Sequence, residues 1–144
     1  MATEILVNDG GAPARIMNLG TAGAAIESGM FVDINSSGNI VAATGDQEAA
    51  NSGQKVALGV LLVDAVSGEP TSVITGKGIV CNVQAAEQLA TIGTEVTIDN
   101  AGKVEATDDA DAHRAVGITL AASVTTATKA DGSAIPHMVK VLLL

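Results

Sequence analysis

Gly29-Met30-Phe31-Val32-Asp33-Ile34-Asn35-Ser36-Ser37-Gly38-Asn39-Ile40-Val41-Ala42, closed by Val56-Ala57-Leu58-Gly59-Val60-Leu61-Leu62, comes back in shorter form further along the chain. The second version is Gly93-Thr94-Glu95-Val96-Thr97-Ile98-Asp99-Asn100-Ala101-Gly102-Lys103-Val104-Glu105-Ala106, closed by Arg114-Ala115-Val116-Gly117-Ile118-Thr119-Leu120. The opening glycines, Val32 and Val96, Ile34 and Ile98, Gly38 and Gly102, and Ile40 and Val104 share the offset of 64 that separates Gly93 from Gly29. The closing glycines, Gly59 and Gly117, are 58 apart, so the first version carries a connection six residues longer. A length difference of this size belongs in a surface loop, where extra residues add little closure entropy. The reading is two related β units in one domain.

The residues explain the strands. Met30, Val32 and Ile34 alternate with Phe31 and Asp33, the period of two of a half-buried strand. Asn35 to Asn39 and Asp99 to Gly102 then supply side chains that bond their own backbone, and a glycine free to take positive φ, so the chain reverses. Val56 to Val63 is apolar on both faces, which suits a strand central in the fold or pressed on a partner.

Outward from the repeat, residues 1–13 read as an arm: Glu4-Ile5-Leu6-Val7 is a short β-prone patch before the flexible Asn8-Asp9-Gly10-Gly11-Ala12-Pro13. The patch either adds to the sheet edge of a partner or is an edge strand of its own domain. Residues 14–144 form the domain, with the first unit at about 29–83 and the second at about 93–144. Ala14 to Leu19, Thr71 to Thr75, Lys77 to Val83 and Pro136 to Leu144 read as further strands. Gln84 to Thr91 is the one helix former, stopped by Gly93. The expected class is all-β with minor α.

Composition removes several functions. The 144 residues suffice for one domain burying roughly 68–70% of its unfolded surface. Apolar residues make up 47% but aromatics only 1%, so the core is built of Val, Ile, Leu and Ala, and oligomerisation is an expected source of further stability. A net charge of −9 without basic clusters argues against nucleic-acid binding. No apolar run approaches the ~20 residues that span a bilayer, and Met1-Ala2-Thr3-Glu4 lacks the basic start of a signal peptide, so synthesis in the cytoplasm is expected. The single cysteine, Cys81, cannot form an internal disulfide.

Candidate chemistry is sparse. His113 and His137 have no ligand partners at metal spacing. Asp108-Asp109-Ala110-Asp111 lacks the turn glycine and closing glutamate of a calcium loop. Thr75-Gly76-Lys77-Gly78 lacks the upstream glycine and following Ser or Thr of a phosphate loop. Cys81 sits in an apolar strand, unsuited to a nucleophile. Asn35-Ser36-Ser37 matches a glycosylation sequon without a sign of secretion. Lys103, at a hairpin tip between quasi-symmetric units, is placed as the modified lysine of biotinyl or lipoyl carriers is, but its Gly and Val flanks differ from theirs. The expectation is no enzyme, no metal and no cofactor.

The stretch Ser28 to Val41 with Val56 to Leu61 resembles the core of lambda-type head decoration proteins, in which a strand, a polar turn and a strand precede an Ala-Val-Gly-Ile-like run. With Ala14-Arg15-Ile16-Met17-Asn18, Lys77-Gly78-Ile79-Val80, Gly93-Thr94-Glu95-Val96 and Ala115-Val116-Gly117-Ile118, the layout of residues 14–144 is similar to capsid cement proteins of tailed phages. The second unit departs from the lambda type. The resemblance implies a β-tulip or barrel-like domain that forms a homotrimer on the outside of the virion. Its partner would be the major capsid protein, and it would clamp neighbouring capsomers, often through an N-terminal arm, here Glu4, Ile5, Leu6 and Val7. Phe31, out of phase with Met30, Val32 and Ile34, is expected with Val41 and Leu61 to face another subunit or the shell, or else to form a second buried layer. A carbohydrate or surface-adhesion module, as in a head fibre, is the alternative, with few aromatics to stack on sugars.

Overall fold

The computed structural model describes residues 4–8, 15–44, 57–107 and 115–144. Its strands are β1 (Leu6–Asn8), β2 (Arg15–Met17), β3 (Phe31–Ile34), β4 (Ile40–Ala42), β5 (Gly59–Leu61), β6 (Val73–Thr75), β7 (Val80–Gln84), β8 (Glu95–Ile98), β9 (Val104–Ala106), β10 (Gly117–Thr119) and β11 (Met138–Leu143). They form two antiparallel sheets, one ordered β2-β6-β5-β3-β4 and the other β1-β7-β11-β10-β8-β9. The fold is all-β, with no helix among the described residues.

The repeat is present in the hydrogen-bonding register. Val32 pairs with Gly59 and Phe31 with Val60; their counterparts Val96 and Glu95 pair with Gly117 and Ile118. The hairpins agree residue for residue, Val32, Asp33 and Ile34 opposite Ala42, Val41 and Ile40, and Val96, Thr97 and Ile98 opposite Ala106, Glu105 and Val104. Both turns are locked by one side chain. Asn35 Oδ1 accepts the N–H groups of Ser37 and Asn39 at 2.9 and 3.0 Å, and Asp99 Oδ1 those of Ala101 and Lys103 at 2.8 and 2.8 Å. Gly38 and Gly102 complete the turns at φ 81° and 76°, which a Cβ disfavours. Replacing Asn35 by Ala is expected to cost about 1 kcal/mol, and Asp99 by Ala about 2 kcal/mol because its bonds are charge-assisted. Chemical denaturation of the two variants, with Asp99→Asn recovering most of the loss, checks this.

The duplication reaches beyond the residues that announce it. On one sheet β5 pairs with β6 and β6 with β2; on the other β10 pairs with β11 and β11 with β7. Following the register, Ile74 corresponds to Leu142, Ile16 to Val80 and Met17 to Cys81. Each unit is therefore five strands in one order, β2 to β6 and β7 to β11, and each builds its own sheet. β1 is an addition at the β7 edge, with Leu6 opposite Cys81.

The main core lies between the sheets. It joins Phe31, Val60 and Ile74 of the first unit to Cys81, Val83, Val96, Ile98, Val141 and Leu143 of the second. A smaller cluster, Ala22, Ile26, Val32, Ile40, Leu61, Ala65 and Val73, seals the far face of the first sheet under its own loops.

Three expectations are corrected. Gln84 to Thr91 is not a helix: Gln84 ends β7 opposite Met138, and Ala85 makes an isolated bridge to Val104. Local propensity yields there to the pairing of β7 with β11, while the buried Gln84 amide donates to Glu27 Oε2 and Ser28 O, both at 3.0 Å. The domain is not barrel-like, since no pairing joins the outer strands of either sheet among the described residues. Phe31 and Leu61 do not face outward: both are buried, on opposite sides of the first sheet, and Val41 is half-buried.

Candidate functional site

Among the described residues, those that the sequence singled out for chemistry are scattered, and several have a structural task. Thr75 to Gly78 is the tight link between β6 and β7, where Gly78 N–H donates to Leu143 O at 2.9 Å. Asn35-Ser36-Ser37 is the first hairpin turn. Burial pushes the Cys81 thiol up to about 12, so no thiolate forms there at neutral pH. His137 Nδ1 is buried without a hydrogen-bond partner. Among the described residues no three His, Cys, Asp or Glu gather where they could hold a metal ion. His113 and Asp108 to Asp111 lie outside the described residues.

Lys103 does not stand clear as a carrier lysine would. The second hairpin tip is docked on the first unit: Gly102 O accepts the N–H of Phe31 at 2.8 Å, and Gly102 is buried. A Cβ at Gly102 would meet Phe31 O at 2.7 Å.

One ion pair ties the units together. Lys129 Nζ donates to Glu27 Oε1, and Gln84 donates to the other oxygen of that carboxylate. Burial alone would raise the Glu27 carboxyl, but these two hydrogen bonds and the Lys129 charge hold it below its ordinary value; Lys129 is raised in turn, chiefly by the Glu27 bond. A carboxyl lowered in the folded state gives stability that is present above its unfolded pKa and is lost as pH falls through the folded one. For Lys129 the loss comes instead as pH rises past its raised value. The pair thus contributes a plateau through neutrality with an acid shoulder. Glu27→Gln is expected to flatten that shoulder in a melting-temperature series across acidic pH; an unchanged profile would show the pair to be inert.

The only arm residues with described side chains are Glu4, exposed, Ile5, buried in the main core, and Leu6, packed on it. Val7 lies in β1. Asn82 holds the segment from its side, its N–H donating to Ile5 O at 2.7 Å and its amide to Glu4 O at 2.6 Å. The patch is thus an edge strand of its own domain.

What the surface does offer is apolar. Val63 and Val66 follow β5, Leu120 and Val124 follow β10, and all four are exposed. Val66 and Val124 hold corresponding positions, 58 apart like the closing glycines. Met17 and Ile34 are exposed on the first sheet. A groove of about 260 Å³ lies beside the second unit, lined by residues including Glu87, Leu89, Thr91 and Thr94. Glu87 is its one titratable side chain, and its Oε1 accepts the Ala106 N–H at 3.3 Å.

The fold has a solved counterpart. The chain is similar to the N base of head fiber gp8.5 of bacteriophage phi29, known from its crystal structure, with a TM-score of 0.58 and 14% identity over 87% of this chain and 90% of that one. No protein-family model and no curated protein matches the sequence. At this identity the likeness establishes the arrangement of strands. It extends over 87% of this chain and is not confined to one hairpin.

Proposed function

We propose that the chain is a structural protein of a tailed-phage head. It binds the outer surface of the capsid as an oligomer, a trimer, and stabilises the shell by clamping neighbouring major capsid proteins, without catalysis or a cofactor. The observation that carries this reading is the likeness across nearly nine-tenths of the chain to the base of a phage head fiber. The acidic surface and the dispersal of reactive side chains support it, because a fastener needs faces for neighbours and no convergent site.

The mechanism is multivalent. A trimer presents three equivalent sets of contacts, so individually weak grips on adjacent capsid proteins combine through effective concentration. Contact through Glu4, Ile5, Leu6 and Val7 would require β1 to leave β7 and uncover Ile5. The exposed loops bearing Val63, Val66, Leu120 and Val124 can meet a shell without that rearrangement, and we assign the grip to them.

Pelleting the pure chain with expanded heads that lack it tests the proposal. Saturable co-sedimentation and a higher temperature of head disruption are expected; a chain left in the supernatant would refute it. A second reading, a head-fiber base that carries an adhesive part, is favoured by the same likeness. It predicts loss of adsorption to host cells, with head stability unchanged, when the chain is removed.

A further inference from the structure

The loop 62–70, between β5 and β6, holds two valines out of the core on a fixed backbone. Ala65 exchanges hydrogen bonds with Ile26, its N–H donating to Ile26 O at 3.0 Å and its O accepting the Ile26 N–H at 2.8 Å. Further on, Gly68 N–H donates to Ala22 O and Glu69 O accepts the Ala22 N–H, both at 2.8 Å. Ala65 is buried, and Val63 and Val66 on either side of it are 59% and 55% exposed. Their exposure is set by the fold and not by a loose chain, so a contact made there loses little conformational entropy.

The charges on this loop are all of one sign. Asp64 and Glu69 are both exposed, and residues 62–72 include no lysine or arginine. Each carboxylate braces the loop with one oxygen: Asp64 Oδ1 accepts the Ser28 N–H at 2.6 Å and Glu69 Oε2 the Val66 N–H at 3.0 Å. Lys129 feels the Asp64 charge but is bonded to Glu27. The corresponding loop of the second unit shows that the fold does not demand these acids. Ser123 stands where Ala65 does, donating to Leu89 O at 2.7 Å and accepting the Leu89 N–H on Oγ at 2.8 Å. Yet Ala122 and Ala127 take the places of Asp64 and Glu69. The first loop therefore carries negative charge beyond what its folding requires.

We propose that the Val63 and Val66 loop docks on a protein surface in which lysine or arginine rings an apolar patch, on the shell reading above a surface of the capsid protein. The inference rests on that reading and names the chemistry of the partner at the same site. Charge decides the occupant. A second copy of this chain, at a net charge of −9, would bring acid to acid, and nucleic acid or an anionic lipid surface would be repelled in the same way. A cationic protein surface is held by the apolar area of the two valines and met by Asp64 and Glu69 at their rim, where charges speed encounter more than they tighten the complex. The two contributions separate by their response to salt.

Association of the full chain with immobilised expanded heads that lack it, followed at several salt concentrations, tests this. Asp64→Asn/Glu69→Gln keeps both bracing acceptors and removes both charges. Its association rate is expected to fall about tenfold at low salt and to depend less on salt than that of the wild type. Val63→Ser/Val66→Ser is expected to raise the dissociation rate about tenfold or more at every salt concentration. Glu95→Gln/Glu105→Gln, the same change of charge on the β8–β9 hairpin, is expected to bind as the wild type does. Unchanged binding by the two loop variants, or an equal loss in the hairpin control, would overturn the proposal and leave the shell reading standing. A second measurement needs no head. In amide-resolved NMR of the labelled chain, a blocked hexapeptide of alternating lysine and valine is expected to shift residues 62–70, and to lose this effect in Asp64→Asn/Glu69→Gln. A peptide of alternating glutamate and valine is expected to shift nothing. Shifts spread over the acidic surface, or centred elsewhere, would overturn the proposal. A wild type that ignores heads while the lysine peptide shifts residues 62–70 would refute the shell reading and keep the cationic partner.

Discussion

Gly59→Ala is expected to leave little folded protein at room temperature. β5 lies inside its sheet, held between β6 and β3, so it cannot swing away from a new contact with its neighbour. A Cβ at position 59 would sit 2.0 Å from the carbonyl oxygen of Ile74 and 3.0 Å from its carbonyl carbon. Both are backbone atoms of β6, so no rotamer change relieves the clash. The strand pair must separate, and Val60 and Ile74, both buried, would lose their packing. A loss of about 4 kcal/mol or more is expected, against a total stability of about 5–15 kcal/mol for a domain. Gly117 is the internal control. Its Cβ would lie 3.0 Å from Leu142 O, the corresponding atom in the second unit, and a small shift suffices. Gly117→Ala is expected to cost about 1–2 kcal/mol. Urea unfolding of both variants decides the matter; equal stabilities would mean that the β5–β6 register is not as described.

Removing residues 1–8 is expected to have the second-largest effect. An arm held in reserve for a partner could be deleted without harm to the domain. Here Ile5 is a core residue and β1 covers the edge of β7, so deletion should cost about 2–5 kcal/mol, the range for truncating a buried isoleucine. Cys81 gives a second readout. It pairs with Leu6, is buried, and has a thiol raised to about 12, so in the intact protein it should resist thiol reagents at pH 8. In the truncated protein it should react readily. An unchanged melting temperature together with a silent Cys81 would restore the arm as a separable segment.

The repeat was legible because it is written in residues that turns require. Asn35 and Asp99 each accept two backbone N–H groups, and Gly38 and Gly102 each hold positive φ, so the chemistry of the turn survives where the strands diverge. The central place of the Val56 to Val63 run was legible for a related reason: its core, β5, is flanked by a strand on each side, and both of its faces are covered. β2 and β7 escaped notice as counterparts because Arg15-Ile16-Met17 and Ile79-Val80-Cys81 match at no aligned position, and only the pairing relates them.

Phe31 was misread for a physical reason. Alternation assigns one face to core and one to solvent, which holds for a sheet with a single neighbour. β3 has a sheet on one side and its own loops on the other, so Phe31 and Val32 are buried in different clusters. Exposure at the candidate surface could not be read at all from local sequence. Ile34 and Ile98 are the same residue at the same place in the repeat, yet one is exposed and the other buried. The difference comes from what packs on each hairpin in the folded domain, since Ile98 joins the core between the sheets and Ile34 belongs to neither cluster.

The central claim, a fastener seated on the outside of a phage head, meets its most direct test in electron cryomicroscopy of otherwise identical virions with and without this chain. The account predicts difference density on the outer surface of the shell, bridging adjacent capsid proteins. Identical reconstructions, or density confined to the inside of the shell, would contradict it.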